Sequence, residues 1–188
     1  SDSDFIALSD QDDIWMQGKI QRAIYVLNET GASAYSSNVE AFWENGKSII
    51  LKKSHKQRRY DYLFSSPGPG CTFVFRRGLF IELREWVATN VEALSALWVH
   101  DWILYAYVRG AGHKWIIDDF VSMRYRQHAK NSIGANYGLI AFKNRWLRLR
   151  SGQFHSDVLA ICKIANHDAN FILRLRRLKF HDRLYFIL

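Results

Sequence analysis

The opening of the chain constrains its fold more than any other stretch, because a short apolar run there stops at a cluster of aspartates. Residues 5–8 read Phe-Ile-Ala-Leu, and an apolar run of this length bounded by polar residues predicts a buried strand. Residues 9–13 read Ser-Asp-Gln-Asp-Asp, which places three carboxylates within four positions. Open α/β folds bind their ligands at the carboxyl ends of strands, so the aspartates mark a candidate site.

The aspartate cluster has two interpretations. Like charges this close repel each other unless a cation or hydrogen-bond donors offset them. Hard oxygen ligands of this type suit Mg²⁺ or Mn²⁺, often shared with the phosphates of a substrate. The alternative is a solvated turn in which Asp13 caps the helix that follows, and such a cap can coexist with a metal site.

Strand and helix patterns alternate through the first part of the chain, which predicts an α/β domain with a mixed sheet and flanking helices. The strongest local signal is Asn45-Gly46, a hairpin turn between two strand patterns. We expect strands at 33–39, 48–51, 72–75, 114–117 and 121–125, helices at 14–27, 78–87 and 101–108, a basic loop at 52–61 and an irregular segment at 67–70. The first strand has no earlier element to pair with, so we expect an N-terminal portion to precede it.

The positive charge of the chain is concentrated near its end. Residues 139–188 hold ten lysines and arginines against three acidic residues, whereas the rest of the chain is nearly balanced. The pattern there is entirely helical, so we divide the chain into an α/β domain at 1–135 and a basic helical extension at 136–188. Residues 171–188 alternate cationic and apolar side chains, which suits a helix on an anionic membrane surface. The alternative is a helical cap whose apolar side packs on the domain.

Two later stretches contain candidate catalytic or ligand-binding residues. His100-Asp101-Trp102 opens a predicted helix, and a carboxylate in an aromatic setting could serve as a general base. The alternative is that Asp101 is an N-cap or first-turn residue. Further on, Arg126 could clamp phosphate oxygens and His128 could ligate a metal or meet a phosphate, unless this stretch is an ordinary polar loop.

Together these stretches resemble glycosyltransferase family 2, and within it the bacterial rhamnosyltransferase branch. Residues 7–15 read Ala-Leu-Ser-Asp-Gln-Asp-Asp-Ile-Trp, with a lysine and an isoleucine following at 19 and 20, and resemble the family's aspartate-x-aspartate metal motif. Residues 70–73, Gly-Cys-Thr-Phe, are similar to its central strand beside the acceptor site. Residues 100–102 lie where the family carries a catalytic Glu-Asp or His-Asp pair, and residues 118–135 resemble the end of its catalytic domain.

The resemblance implies an inverting glycosyltransferase that uses Mg²⁺ or Mn²⁺ and has a partial type-A fold, in which a Rossmann-like half binds the nucleotide and a second half the acceptor. It implies that Asp101 takes the proton from the acceptor hydroxyl as that oxygen attacks the anomeric carbon. By residue, the resemblance assigns Asp101 to catalysis, Asp10, Asp12 and His128 to the metal, Asp13 and Arg126 to the donor diphosphate, and Gly70, Cys71, His100 and Trp102 to the acceptor.

The implied partners are a nucleoside-diphosphate sugar, with deoxythymidine-diphosphate rhamnose suggested by the branch, and a saccharide or lipid-linked acceptor in bacterial surface polysaccharide synthesis. The alternative is a non-catalytic fragment or a binding module for carbohydrate or nucleic acid. The balanced charge of residues 1–138 argues against nucleic acid. Two cysteines and the lack of an apolar run of about 18 to 20 residues predict a cytoplasmic protein, with the extension suggesting contact with the inner face of the membrane.

Overall fold

The computed structural model describes residues 3–95, 100–127 and 153–177. The strands are β1 Phe5–Ala7, β2 Ile14–Trp15, β3 Ala34–Phe42, β4 Ser48–Leu51, β5 Val74–Arg76 and β6 Trp115–Arg126. The helices are α1 Lys19–Thr30, α2 Arg77–Thr89, α3 Val91–Ser95, α4 His100–Gly110, α5 Gln153–Ile164 and α6 Ala169–Arg177, with short 3₁₀ turns at Asp61–Leu63 and Gly70–Thr72.

These strands form one mixed sheet in the order β1-β5-β3-β6-β2, with β4 beside the second half of β3. The central pair, β3 and β6, is parallel, and the remaining pairs are antiparallel. Because β1 and β3 are both antiparallel to β5, β1 runs in the same direction as β3 and β6. The carboxyl ends of β1, β3 and β6 therefore point the same way, and the aspartates follow the first of them. The mixed sheet and its flanking helices confirm the predicted α/β class.

Helices cover both faces of the sheet. On one face, α1 packs Ala23, Val26 and Leu27 against Tyr35 and Val74. On the other face, the core is centred on Trp115 and joins the sheet to α2, α4 and α5. The rings that meet Trp115 edge-on have centroid distances of 4.9 Å for Phe73, 5.6 Å for Phe75 and 5.1 Å for Tyr105. Edge-to-face aromatic packing of this kind adds to the area that these rings bury.

Local signals located most elements but misplaced two boundaries. The predicted helix at 14–27 is wrong in its first turn, because Ile14 and Trp15 pair with β6 and the helix begins only after Gly18, at φ 81°. The strands predicted at 114–117 and 121–125 form the single strand β6, since irregularities in its pairing with β3 absorb the polar residues between them. The hairpin turn is confirmed, with Gly46 at φ 81° joining β3 and β4.

The helices described after residue 152 share the core of the α/β region. Val158, Ile161 and Cys162 of α5 are buried there. The helical pattern predicted for this part of the chain is divided between two helices. Asn166, at a φ of 55°, interrupts the pattern after α5, and the Asp168 carboxylate caps α6 by accepting the Phe171 N–H at 2.7 Å. None of the helices among the described residues is long and apolar enough to cross a membrane. Residues 136–152 and 178–188 lie outside the description, so the domain division and the membrane contact stay predictions.

One ion pair ties α1 to the central strand, and its removal gives a test of the fold. Arg22 donates to both oxygens of Asp118 at 2.8 and 3.0 Å, and the Tyr35 hydroxyl donates to the same carboxylate at 3.0 Å. Burial alone would raise the pKa of Asp118, but these hydrogen bonds hold it below its ordinary value. Because the Arg22 side chain is 40% exposed, solvent screens the pair.

We expect Arg22→Met to lower the free energy of unfolding at pH 7 by about 1 kcal/mol. A carboxylate with a lowered pKa contributes stability above its unfolded pKa and loses it as the pH falls through the folded pKa. The difference between the variant and the wild type should therefore shrink below about pH 4. Urea denaturation at pH 7 and pH 3.5 measures it, and a difference that does not change between the two values would contradict the assignment.

Candidate active site

The loop after β1 brings its aspartates to the end of β6 and to the turn before β5. The Asp13 carboxylate accepts the backbone N–H of Arg126 at 3.0 Å, and the Arg126 Nε donates to the carbonyl oxygen of Asp12 at 3.2 Å. One ligand atom each from Asp10, Asp13 and Cys71 lies within 4.8 Å of the others. The tertiary structure thus converts a run of neighbouring carboxylates into a cluster that includes a residue 58 positions away.

The chemistry of this cluster suits a hard divalent cation. The Asp13 Oδ2 oxygen is buried and has no hydrogen-bond partner among the described residues. Burial raises the pKa of the Cys71 thiol, and its hydrogen bond to the Asp13 carboxylate and the charges of Asp13 and Asp10 raise it further. The sulfur therefore stays protonated near neutral pH and the available donors are carboxylate oxygens, which Mg²⁺ and Mn²⁺ prefer. Burial, followed by the charges of Asp13 and Asp12, also raises the pKa of Asp10, and a bound cation would relieve this repulsion.

The geometry singles out a different second aspartate from the resemblance. The resemblance assigns Asp10 and Asp12 to the metal, whereas the atoms gathered with Asp10 among the described residues belong to Asp13 and Cys71. Asp12 is half-buried and its charge reaches Asp10, so its role as a ligand stays a prediction. The proposed ligand His128 lies outside the described residues.

Asp101 sits in the first turn of α4 and rests against the turn that carries Gly70. A Cβ atom built on Gly70 would lie only 2.5 Å from Asp101 Oδ1, so the missing side chain is what allows the contact. Burial raises the pKa of Asp101 to about 6; a hydrogen bond from the Gly70 backbone opposes this shift, and the charge of Asp10 adds to it. The first-turn position and a role as a base are therefore compatible.

The other residues assigned to the acceptor differ in exposure. His100 is exposed at the start of α4. Trp102 is 6% exposed, and its indole N–H donates to the Tyr62 carbonyl at 2.8 Å. Its ring stacks on Phe154 at a centroid distance of 6.1 Å, inside the main core. Trp102 therefore anchors the helix that carries Asp101, and a direct contact of either residue with the acceptor stays a prediction.

Two residues to which the sequence assigned no role lie within this site. Lys19 is 1% exposed; burial lowers its pKa to about 8, although the groups of Cys71, Asp13 and Asp10 act in the opposite direction. Tyr125 packs against Cys71 and Met123; burial raises its pKa, and the same three groups, with Asp101, raise it further. A lysine after a glycine normally signals an exposed helix start, so only its place next to the aspartate motif could have drawn attention to Lys19.

The mixed sheet and its flanking helices are those of a partial, Rossmann-like type-A glycosyltransferase domain. No family profile matches the chain. The chain is 36% identical over 204 residues to the dTDP-rhamnosyl transferase RfbG of Shigella flexneri, an alignment that covers 98% of this chain and 70% of that protein. This chain therefore belongs to the rhamnosyltransferase-like glycosyltransferases, as the aspartate motif predicted, and is a glycosyltransferase that uses a nucleotide-sugar donor and an acceptor.

Proposed function

We propose that this chain is an inverting rhamnosyltransferase that moves rhamnose from dTDP-rhamnose to a hydroxyl group of a saccharide or lipid-linked acceptor. The observation that carries the proposal is the half-buried Asp101 carboxylate against Gly70, the residue next to Cys71 in the cluster with Asp10 and Asp13. The donor is taken from the name of the relative. The synthesis of a bacterial surface polysaccharide is the process that the resemblance favours, and the balanced charge of residues 1–138 argues against nucleic acid as a partner.

The aspartate cluster would serve the leaving group. Asp10 and Asp13 would hold Mg²⁺ or Mn²⁺, with Asp12 and His128 as the additional ligands that the resemblance assigns. A cation bound there would neutralise the negative charge that develops on a departing nucleoside diphosphate. Arg126 donates to the backbone of the same loop, and its guanidinium would also meet the diphosphate, as the resemblance assigns.

Asp101 would serve the nucleophile. A sugar hydroxyl is a poor nucleophile near neutral pH, and a carboxylate base positioned beside it accelerates its attack. As the acceptor oxygen forms its bond to the anomeric carbon, the Asp101 carboxylate takes the hydroxyl proton. The bond from that carbon to the diphosphate oxygen breaks, and its electron pair leaves with dTDP. Attack from the face opposite to the leaving group inverts the anomeric carbon, and no covalent enzyme intermediate is needed.

The test is release of dTDP from dTDP-rhamnose in the presence of Mn²⁺, followed with and without oligosaccharide acceptors of rhamnose-containing polysaccharides. We expect acceptor-dependent release, and an anomeric configuration in the product that is inverted relative to the donor. Retention of configuration would reject Asp101 as a base acting on the acceptor. Saccharide or nucleic-acid binding without turnover of any nucleotide sugar would favour the non-catalytic alternative.

A second prediction distinguishes the roles of Asp12 and Asp13 in metal binding. Because the ligand atoms of Asp10 and Asp13 lie close together and one oxygen of Asp13 has no partner among the described residues, we expect Asp10→Asn and Asp13→Asn each to weaken Mn²⁺ binding at least tenfold. An asparagine at position 13 can still accept the Arg126 N–H, so the loop should keep its conformation. Isothermal titration with Mn²⁺ in the presence of dTDP measures the effect.

Asp12→Asn is the matched control for this titration, since it removes the same charge from the same loop. We expect it to weaken Mn²⁺ binding less than Asp13→Asn does. The reverse order would show that Asp12 is the second ligand, as the resemblance implies, and unchanged binding in all three variants would remove the metal site.

A further inference from the structure

A buried ammonium group lies directly beneath the proposed site. Lys19, the first residue of α1, is 1% exposed and its Nζ donates to the Cys71 carbonyl at 2.6 Å. The same nitrogen lies 3.0 Å from the sulfur of Met123 on β6 and 4.0 Å from the centre of the Trp15 ring on β2. Four separate segments of the chain therefore meet at this one cation.

The Lys19 ammonium group stabilises the turn that contacts Asp101, the proposed base. Cys71 is the middle residue of the 3₁₀ turn Gly70–Thr72, so a bond to its carbonyl holds this turn from the side of α1. The preceding residue of the turn, Gly70, contacts the Asp101 carboxylate and donates a hydrogen bond to it. Lys19 and Asp101 therefore contact the same 3₁₀ turn, Lys19 through Cys71 and Asp101 through Gly70.

The surroundings of Lys19 offset only part of the cost of burying its ammonium group, since its pKa is lowered to about 8 by burial. Taking an ammonium group out of water is costly unless it is paired and fully hydrogen-bonded. The contacts of Lys19 among the described residues are a carbonyl, a thioether and an aromatic face. The charges of Asp13 and Asp10 favour its ammonium form, but neither carboxylate is among the ion pairs found in the described residues. A methionine of similar length would fill the same space beside Met123 and Trp15 without this cost.

We propose that Lys19 is a positioning residue for transfer: its ammonium group clamps the Gly70–Thr72 turn and thereby fixes the Asp101 carboxylate relative to the Asp10 and Asp13 pair. This inference rests on the proposed function, in which those two sets of carboxylates act on the acceptor and the leaving group. Positioning matters because a displacement of about 1 Å can cost 10²-fold in rate. Lys19 itself touches neither reacting group.

The test compares Lys19→Met with the wild type in two independent measurements. In hydrogen–deuterium exchange, we expect the amides of Thr72 and Phe73, which close the turn on the Pro69 and Gly70 carbonyls, to exchange at least tenfold faster. In donor turnover with Mn²⁺, we expect kcat to fall at least tenfold while the KM for dTDP-rhamnose changes less than twofold. The melting temperature should change little, because the loss of the hydrogen bond to Cys71 and of the attraction of Asp13 and Asp10 opposes the gain from removing a buried charge.

Lys114→Met is the control, since the Lys114 Nζ also donates to a backbone carbonyl, that of Thr30, at 2.7 Å but on an exposed surface away from the site. It should leave both measurements unchanged. If Lys19→Met does not fold, Lys19→Leu, which is also apolar and lacks a donor, carries the same comparison. Wild-type exchange at Thr72 and Phe73, or a kcat within twofold of the wild type, would overturn the clamp. If the wild type itself turns over no nucleotide sugar, the proposed function fails, while the exchange measurement still decides whether Lys19 holds the turn.

Discussion

Asp101→Asn should lower the rate of transfer by about 10²- to 10⁴-fold, the contribution of a well-placed general base. Asparagine has nearly the same shape and can still accept the hydrogen bond from Gly70, but it cannot take a proton. Mn²⁺ binding should stay within twofold of the wild type, because Asp101 is outside the Asp10, Asp13 and Cys71 cluster. Initial rates and Mn²⁺ titration on the same preparation measure both effects, and substantial residual transfer would reject Asp101 as the base.

The pH dependence of the wild type provides a check on the same residue. Burial raises the pKa of Asp101 to about 6, and a base must be ionised to accept a proton. We therefore expect kcat/KM to fall about tenfold for each pH unit below pH 6. The residual activity of Asp101→Asn should lack this decrease.

The folded protein should become more stable in the Asp101→Asn variant, although its activity falls. A carboxylate whose folded pKa lies above its unfolded value loses stability as the pH rises through the folded pKa. Removing the charge of Asp101 should therefore raise the melting temperature above pH 6, with the gain disappearing near pH 4. A lower melting temperature for Asp101→Asn at pH 7.5 would contradict the burial of an ionised carboxylate at this position.

Gly70→Ala should lower kcat about 10²-fold while leaving donor binding nearly unchanged. The added Cβ would lie 2.5 Å from Asp101 Oδ1, so either the carboxylate or the turn must move, and a displacement of about 1 Å can cost this much in rate. The backbone of Gly70 lies outside the left-handed region, so the effect is one of space and not of glycine conformation. Steady-state kinetics with varied dTDP-rhamnose separate kcat from KM.

Gly78→Ala is the matched control for that substitution. Gly78 lies in α2, and a Cβ added there meets no atom within 4 Å. Alanine in a helix is more favourable than glycine by roughly 0.5–1 kcal/mol, so this variant should be slightly more stable and fully active. Equal losses of activity in the two variants would show that Gly70 has no special relation to Asp101.

Hydropathy and turn signals were sufficient to locate most of the fold, because they depend on neighbours in the chain. The Asn45-Gly46 hairpin and the helices at α2 and α4 fall close to their predicted positions. The start of α1 was missed, because the pairing of Ile14 and Trp15 with β6 overrides the helical periodicity of that segment. That pairing joins residues more than 100 positions apart, and no local pattern contains it.

The sequence by itself determined the α/β class and the kind of enzyme, and it singled out the aspartate motif and Asp101 as candidates, since these follow from residue types in a fixed order. Only the tertiary structure decided which atoms from distant segments meet: Cys71 beside Asp10 and Asp13, Gly70 against Asp101, and Lys19 at the Cys71 carbonyl. The physical reason is that charge interactions and steric fit depend on distances of a few ångströms, and the folding of the sheet sets those distances between segments far apart in the chain.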